Sequence, residues 1–189
     1  MKFSKINKND KNFNLIRKKI YLLLITKIPN SIFNNLGYDF FKLYCNINYM
    51  NIFYYLINDN VVSLISYIEF KNQKILEKII INFLFKNPFK LFFFLFNLNF
   101  YFKSDKRPNN YVQLLHLILD KKLIKNKFQK KKRDQSVKLI HKKFVKKKYI
   151  GIYANFNKLN IPAKNYYKNN GFKEYYNNLF FSFVKKKIN

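Results

Sequence analysis

The sequence contains very few of the residues that build covalent cross-links and phosphate loops. Its 189 residues include one cysteine, Cys45, and no tryptophan. A single cysteine excludes an internal disulfide and any multi-cysteine zinc site. The three glycines, Gly37, Gly151 and Gly171, stand far apart. The chain therefore has no Gly-rich loop of the Walker or dinucleotide type.

Acidic residues are also scarce, with 9 Asp and Glu against 38 Lys and Arg. They are scattered, and no two carboxylates are spaced as a metal site for nuclease chemistry requires. The two histidines, His116 and His141, have no nearby carboxylate partner in the sequence and are expected to be packed or solvated. The sequence therefore predicts no metal, no cofactor and no catalytic residue, and a chain that is not an enzyme.

No uninterrupted apolar run is long enough to span a membrane. The longest candidate, from Ile79 to Phe102, contains Lys86, Asn87, Pro88 and Lys90 near its middle. A cation at mid-bilayer costs about 2.5 to 3.5 kcal/mol on insertion scales, and each half of the run is too short to span. Two buried helices broken near Pro88 are expected instead, because the residue before a proline is disfavoured in a helix.

Positive charge is what the sequence has in excess, with a formal net charge of +29. This is more self-repulsion than a free globular protein normally tolerates, so a polyanionic partner is expected. The cations gather in runs at Lys130–Arg133 and Lys146–Lys148. Such clusters are typical of proteins that bind a nucleic-acid backbone, because each neutralised phosphate releases counterions. A membrane surface or an acidic protein is the alternative partner.

Lys, Asn, Ile, Phe and Tyr dominate the chain, and A/T-rich codons encode all five. Genome bias alone can enrich them, so the 20% aromatic content is not taken as a base-stacking signature. Such a gene fits the genome of an organelle, and no import signal is then required. The apolar run from Lys18 to Pro29 lacks the small-residue cleavage site of a signal peptide. The expected location is the mitochondrion, with the chain encoded in the organelle.

The hydrophobic pattern predicts a mainly helical protein, with residues 1–50 as a basic N-terminal extension and residues 51–189 as one helical RNA-binding domain. A short helical repeat is expected over Ile52–Ile57, whereas Val61–Phe70 is ambiguous between strand and helix. Apolar stripes at helical spacing predict further helices. These cover Leu15–Ile28, Gln73–Phe85, Pro88–Leu98, a lysine-rich segment that starts near Asp134 or Ser136, and Ala163–Val184, which holds one helix or two.

Residues 99–118 predict a two-stranded β-ribbon that protrudes from a helical bundle. Aromatic and β-branched residues alternate on both sides of Pro108-Asn109-Asn110, which is typical of a hairpin. The tip of this ribbon would carry Lys103, Lys106 and Arg107. An isolated hairpin is marginal in water, so the ribbon is expected to pack on the helices or on a partner.

Several short motifs resemble the small-subunit ribosomal protein seven family. They are Asn87-Pro88 with the helix after it, Lys103-Ser104, the charged turn, Tyr111 with Gln113, Lys132-Arg133 followed by Ser136, and Phe172 with Tyr175. Asn109-Asn110 stand where that family has glycines, and the proline expected after the Tyr-Gln pair is missing. The resemblance covers about residues 73–180. It implies a mostly helical body with a protruding ribbon, bound to the RNA of the small-subunit head.

The chain is therefore predicted to be a structural constituent of the small subunit of an organellar ribosome, and the expected organelle is the mitochondrion. Its expected partners are small-subunit rRNA and neighbouring ribosomal proteins, with no small-molecule substrate and no transmembrane segment. The alternatives are a peripheral subunit of an organellar membrane complex and an RNA-modifying or maturase-like fragment. The residues expected to contact RNA phosphates are Lys103, Lys106, Arg107, Lys130, Lys131, Lys132, Arg133, Lys138, Lys142, Lys143, Lys146, Lys147 and Lys148.

Overall fold

The computed structural model describes residues 3–28, 31–48, 51–90, 108–119, 127–145 and 149–188. The elements, in chain order, are β1 (Ser4–Lys5), α1 (Phe13–Lys27), α2 (Ile32–Asn48), β2 (Ile52–Ile57), β3 (Asn60–Ile68), α3 (Phe70–Phe85), β4 (Tyr111–Leu119), α4 (Lys127–Val145), β5 (Gly151–Asn157), α5 (Ile161–Asn169), β6 (Lys173–Asn177) and β7 (Phe181–Lys187). These strands form one mixed sheet in the order β1-β2-β3-β4-β5-β7-β6.

The sheet shows that the predicted mainly helical bundle is wrong. The expected helical repeat over residues 52–57 is strand β2, and the ambiguous segment after it is strand β3. Apolar runs of five to eight residues fit a buried strand as well as a buried helix, so periodicity alone could not separate the two. The helices expected over Leu15–Ile28 and Gln73–Phe85 are confirmed within α1 and α3.

The predicted protruding β-ribbon is also wrong. Its second arm is indeed a strand, β4, and Asn110 before it has a positive φ of 61°. β4 pairs in parallel with β5, which follows it across α4, so it belongs to the sheet and not to a separate hairpin. The proposed first arm at residues 99–102 lies outside the described residues.

The chain divides into two compact units. The N-terminal unit contains residues 2–103 and 116–124, and the C-terminal unit contains residues 104–115 and 125–189 together with Met1. β4 runs through both units. A boundary after residue 50, with an N-terminal extension before it, stays a prediction.

In the N-terminal unit, α1 packs through one stripe. Ile16, Ile20, Leu23 and Leu24 are buried at the i, i+4, i+7 and i+8 spacing of a single helix face. The β2–β3 hairpin closes through a two-residue loop at Asn58–Asp59, where both φ values are positive. Asparagine and aspartate tolerate that conformation, which matches the type I′ turns that short hairpins use.

Helix α2 is interrupted at Gly37, whose φ of 83° and ψ of −177° lie far from helical values. Lys90 Nζ donates to the carbonyl of Leu36, the residue before the interruption, at 2.8 Å. The break is therefore held by a specific donor from residues that follow α3.

In the C-terminal unit, β5 pairs with β7 over the whole length of both strands, and β6 pairs with the outer edge of β7. One helix or two are expected over Ala163–Val184, and the structure has one, α5, which ends at Asn169 because Gly171 adopts a φ of 75° and turns the chain into β6. The lysine-rich helix is confirmed as α4, which begins upstream of the expected start.

Within the described ranges, no helix is both long enough and apolar enough to cross a membrane.

Candidate functional site

Two parallel strands meet in the C-terminal unit. Tyr111–Gln113 of β4 pair with Gly151–Tyr153 of β5. In the described part of the chain this ladder ends there, while β5 continues to Asn157 against β7. Backbone N–H and C=O groups are obligatory hydrogen-bonding groups, so a strand that leaves its neighbour offers them to a ligand. The end of this ladder is the candidate site.

Gly151 allows the close approach of the two strands at the start of the ladder. A Cβ atom on Gly151 would collide with the ring of Tyr111 and with the backbone carbonyl of Lys186. At the other end of the ladder, the hydroxyl of Tyr153 donates to Gln113 Oε1 at 3.3 Å, and both side chains are buried. The ladder is therefore fixed at both ends by particular side chains.

Tyr167 of α5 is a buried phenol that contacts the continuing part of β5. Its ring stacks on Phe156 of β5 with centroids 5.3 Å apart and contacts Phe172 edge-on at 5.0 Å. The structure records no hydrogen bond from the Tyr167 hydroxyl to another described residue. Burial, with a smaller contribution from Tyr166, raises the pKa of this hydroxyl, so it remains protonated at neutral pH.

The two ends of α5 hold Tyr167 in place. At the N-terminus, Asn160 Oδ1 accepts from the backbone N–H of Ala163 at 3.0 Å, and a proline sits in the first turn. At the C-terminus, the backbone N–H of Phe172 donates to the carbonyl of Tyr167 at 3.0 Å, and that of Gly171 to Lys168 at 3.1 Å. This pair of bonds and the contact between the Phe172 and Tyr167 rings make a Schellman motif.

Cations and a neutral histidine lie beside this arrangement. Lys186 Nζ donates to the carbonyl of Asn170 at 2.6 Å, and burial followed by the charge of Lys138 lowers its pKa. His141 lies on the face of α4 that packs against β5, together with Val137. Burial and then the charge of Lys186 lower the pKa of His141 to about 4, so it is neutral at pH 7.

The structure describes only part of the predicted RNA-contact set. The predicted ribbon-tip cations, Lys103, Lys106 and Arg107, and the run Lys146–Lys148 lie outside the described residues. Four lysines have exposed side chains on α4, namely Lys131, Lys132, Lys138 and Lys142. Three further members, Lys130, Arg133 and Lys143, lie within α4, with side chains outside the described set. A role of these residues in RNA binding stays a prediction.

The described ranges hold no group of three or more His, Cys, Asp or Glu side chains that could bind a metal ion.

Solved structures show which fold this is. An acetyltransferase crystal structure superposes with a TM-score of 0.63 at 13% identity, covering 100% of both chains. An N-acetyltransferase from Staphylococcus aureus Mu50 gives 0.57 at 12% identity, covering 98% of this chain and 100% of that one. The NatC complex bound to Gag peptide and CoA gives 0.53 at 12% identity, covering 100% of both chains. No family model and no curated protein matches the sequence.

The class defined by the fold is thus the GNAT acetyltransferase α/β fold, in which a mixed sheet is flanked by helices. At 12–13% identity the likeness shows the fold alone. The resemblance to the small-subunit ribosomal protein seven family is wrong, because its mostly helical body is absent and the matching folds are acetyltransferases. Biased composition explains the error, since short Lys, Asn and Tyr motifs recur by chance in such a chain.

Four further expectations change with the fold. The predicted structural role in a ribosome, the expected rRNA and ribosomal-protein partners, and the expected lack of a small-molecule substrate are contradicted by these neighbours. The prediction that the chain is not an enzyme is likewise wrong, since the matching structures are acetyltransferases. The alternative of a peripheral membrane-complex subunit has no support from these comparisons either.

Sequence reasoning missed Tyr167 although a signal for its helix was present. Asn160-Ile161-Pro162 is a helix start with a capping side chain and a first-turn proline, and Gly171 is a helix stop. Together they bound a helix of nine residues, which is the length of α5. The stacking of Tyr167 on Phe156 has no comparable signal, since it depends on how α5 folds back on β5.

Proposed function

We propose that the chain is an N-acetyltransferase that transfers an acetyl group from acetyl-coenzyme A to the amino group of a peptide. The observation that carries the proposal is the β4–β5 ladder, which is parallel in a sheet whose other recorded registers are antiparallel and which ends at Gln113 and Tyr153. The fold neighbours support it, since they include an N-acetyltransferase and a complex bound to a peptide and CoA.

The chain offers a suitable surface for the phosphates of a coenzyme A ligand. Helix α4 follows β4 and has no acidic residue in its first turn. Its exposed cations include Lys131, Lys132, Lys138 and Lys142. A helix N-terminus and lysine ammonium groups both favour phosphate, so the charge of these residues fits the ligand. Acetyl-coenzyme A would supply an activated acyl group as a thioester.

Acyl transfer forms a C–N bond between the amine and the acetyl carbon and breaks the C–S bond of the thioester. The amine nitrogen loses one proton to solvent, and the departing thiolate, whose thiol has a pKa of about 8.5, gains one from a proton donor. Tyr167 meets the requirement within the C-terminal unit. Burial raises the pKa of its hydroxyl, so at neutral pH the phenol carries a proton that it can donate; the same shift makes it a weaker acid than an exposed tyrosine. Its rigid stacking on Phe156 keeps the hydroxyl in one place. We therefore assign the proton donor as Tyr167 Oη.

Thiol release on mixing the purified protein with acetyl-coenzyme A and peptides with a free α-amino group tests the proposal. We expect product masses higher by one acetyl group and loss of the reaction when the peptide N-terminus is blocked. Absence of turnover together with absence of coenzyme A binding in calorimetry would overturn the proposal.

A pair of tyrosine variants tests the role of Tyr167. General-acid catalysis contributes about 10²- to 10⁴-fold, so Tyr167→Phe should lower kcat by at least about a hundredfold with little change in the circular dichroism spectrum. Tyr166→Phe, the matched variant one residue earlier on α5, should keep kcat within about threefold, because a hydroxyl without a role in proton transfer contributes little to the barrier. Equal activity of the two variants would remove Tyr167 from the mechanism.

A mitochondrial location stays a prediction from codon bias, and an antibody against the protein applied to fractionated cells would check it.

A further inference from the structure

A chain of buried hydrogen bonds crosses the N-terminal unit from Asn48 to His116. Asn48 Nδ2 donates to the hydroxyl of Tyr44 at 3.0 Å, and the Tyr44 hydroxyl donates to Ser66 Oγ at 3.4 Å. Ser66 Oγ lies 2.7 Å from His116 Nδ1. Asn48, Tyr44 and Ser66 are each 1% exposed and His116 is 8% exposed. None of these side chains takes part in the mechanism proposed for the C-terminal unit.

The side chain of Asn48 determines which atom is the donor in each of these hydrogen bonds. Its amide nitrogen also donates to the backbone carbonyl of Tyr67 at 2.7 Å, and its amide oxygen accepts from Asn51 Nδ2 at 3.1 Å. A flipped amide would place oxygen against the Tyr67 carbonyl oxygen and nitrogen against a donor. Both Asn48 N–H groups are therefore committed, one to Tyr67 and one to Tyr44.

The donor and the acceptor of each remaining hydrogen bond then follow from the orientation of Asn48. The Tyr44 oxygen accepts from Asn48, and the recorded acceptor for its own proton is Ser66 Oγ. The Ser66 hydroxyl must then donate a hydrogen bond to His116 Nδ1, because a buried hydroxyl without a hydrogen bond costs about 1 to 3 kcal/mol. His116 Nδ1 is therefore an acceptor, and a neutral imidazole that accepts at Nδ1 carries its proton at Nε2.

Among the described residues, Ser66 is the hydrogen-bond partner recorded for the His116 ring, at Nδ1, and none is recorded at Nε2. The side chain as a whole is more than nine-tenths buried. The rings of Phe33 and Tyr44 lie against the imidazole, with centroids 5.5 Å and 6.3 Å away. Burial lowers the pKa of His116 to about 3, so the ring stays neutral at physiological pH. A neutral donor in aromatic surroundings pairs better with a neutral oxygen than with an anion, whose desolvation it could not offset.

We infer that His116 is a hydrogen-bond donor locked in one tautomer by Ser66, Tyr44 and Asn48, and that its Nε2–H binds a backbone carbonyl oxygen of a peptide ligand. The choice of a peptide rests on the proposed function, whereas the locked donor rests on the hydrogen bonds of the N-terminal unit alone. His116 then acts as a positioning and specificity residue for the peptide. Because the hydrogen bonds of Ser66, Tyr44 and Asn48 keep the proton on Nε2, this nitrogen does not act as a base.

Nitrogen NMR of the ¹⁵N-labelled protein tests the lock directly. Long-range ¹H–¹⁵N spectra distinguish the two neutral tautomers, and His141→Gln identifies which signals belong to His116. We expect the Nε2–H tautomer in the wild type and a mixture of tautomers in Ser66→Ala. A wild-type spectrum with the proton on Nδ1 would overturn the inference.

Two histidine variants test the ligand. The amide nitrogen of glutamine lies near the position of Nε2, and that of asparagine near Nδ1, so His116→Gln keeps a donor where His116→Asn does not. With a hexapeptide carrying a free α-amino group, we expect the peptide Kd to rise about tenfold in His116→Asn, as for the loss of one hydrogen bond. It should stay within about threefold of wild type in His116→Gln. Equal affinity of the two variants would overturn the assignment.

The outcomes separate this inference from the proposed function. Peptide binding that moves the His116 Nε2–H resonance supports the inference even if the protein transfers no acetyl group. Acetyl transfer that is equally fast in wild type, His116→Asn and His116→Gln would leave the proposed function standing and overturn the inference. A resonance that moves equally with sodium acetate and with the hexapeptide would overturn the choice of a neutral carbonyl.

Discussion

At the scale of single residues, Gly151 is a position where the parallel ladder leaves no room for an added Cβ atom. A Cβ atom added at Gly151 would collide with the Tyr111 ring and with the Lys186 carbonyl. The carbonyl belongs to the backbone and cannot rotate away. Overpacking in a filled region typically costs about 1 to 3 kcal/mol. We therefore expect Gly151→Ala to lower the free energy of unfolding by at least about 2 kcal/mol in urea titrations.

Gly171→Ala is the matched control for that prediction. Gly171 has a φ of 75°, but a Cβ there would meet only the far end of the Lys186 side chain. The expected cost is the strain of a left-handed alanine, about 1 kcal/mol. If Gly171→Ala proved the more damaging variant, close approach at Gly151 would not be what limits stability.

Cys45 should be inert in the folded protein. Its side chain is fully buried, and burial raises the pKa of the thiol, with the charge of Arg17 only partly opposing that shift. Thiolate is the reactive form, so we expect no detectable reaction with a disulfide reagent in buffer and one equivalent in denaturant. Fast labelling in buffer would contradict this burial. The expected inertness also means that thiol release in the acetylation assay reports coenzyme A alone.

At the scale of elements, the break in α2 should depend on Lys90. Its ammonium group is the recorded donor to the Leu36 carbonyl, and it also lies 5.1 Å from the centre of the Phe83 ring. Lys90→Met keeps much of the apolar stem and removes both interactions. We expect a loss of about 1.5 to 3 kcal/mol in the free energy of unfolding, as for a hydrogen bond from a charged group. Lys86→Met, at an exposed position, should leave stability unchanged within about 0.5 kcal/mol.

The N-cap of α5 can be tested with two asparagine variants that should differ in the free energy of unfolding. Asn160→Ala removes the acceptor for the Ala163 N–H and should cost about 1 kcal/mol. Asn165→Ala, at an exposed position inside the same helix, should be neutral or slightly stabilising, because alanine is the better helix former. Thermal denaturation followed by circular dichroism measures both. Equal destabilisation by the two variants would show that the cap contributes nothing beyond helix propensity.

These elements also show what could be predicted from the sequence. The helix expected over Leu15–Ile28 follows from a local apolar stripe, and the structure confirms it in α1. The cap at Asn160 and the stop at Gly171 are equally local signals, but the prediction of one helix or two over Ala163–Val184 uses neither of them as a helix boundary. The parallel pairing of Tyr111–Gln113 with Gly151–Tyr153 is different in kind. It joins segments about 40 residues apart, and no local periodicity records which strands become neighbours.

At the scale of the whole molecule, charge misdirected the functional prediction. A net charge of +29 is a sound argument for an anionic partner, but charge specifies solubility and association and does not specify a fold. The exposed lysines of α4 suit the phosphates of a nucleic acid and those of coenzyme A equally well. The candidate site consists of Tyr167 and the end of the β4–β5 ladder, and neither feature can be recognised from the amino-acid composition.

Acidification should destabilise the whole fold through its two histidines. Burial lowers the pKa of His116 to about 3 and, with the charge of Lys186, that of His141 to about 4. In the unfolded chain both pKa values return to about 6.5. Between these limits the unfolded state binds more protons than the folded state. The stabilisation from the neutral rings is therefore complete above about pH 6.5 and is lost as pH falls toward the folded-state values.

Urea titrations from pH 7.5 to pH 5 measure this loss. Each histidine contributes a slope of up to about 1.4 kcal/mol per pH unit, so the wild type should lose stability steeply below pH 6. The double variant with His116→Gln and His141→Gln should start from lower stability and show a much flatter profile, since glutamine does not titrate. The same titrations in 0.5 M salt separate this effect from general repulsion among the many lysines, which salt screens. A wild-type slope that vanished in high salt would show that net charge, and not the buried histidines, governs the acid response.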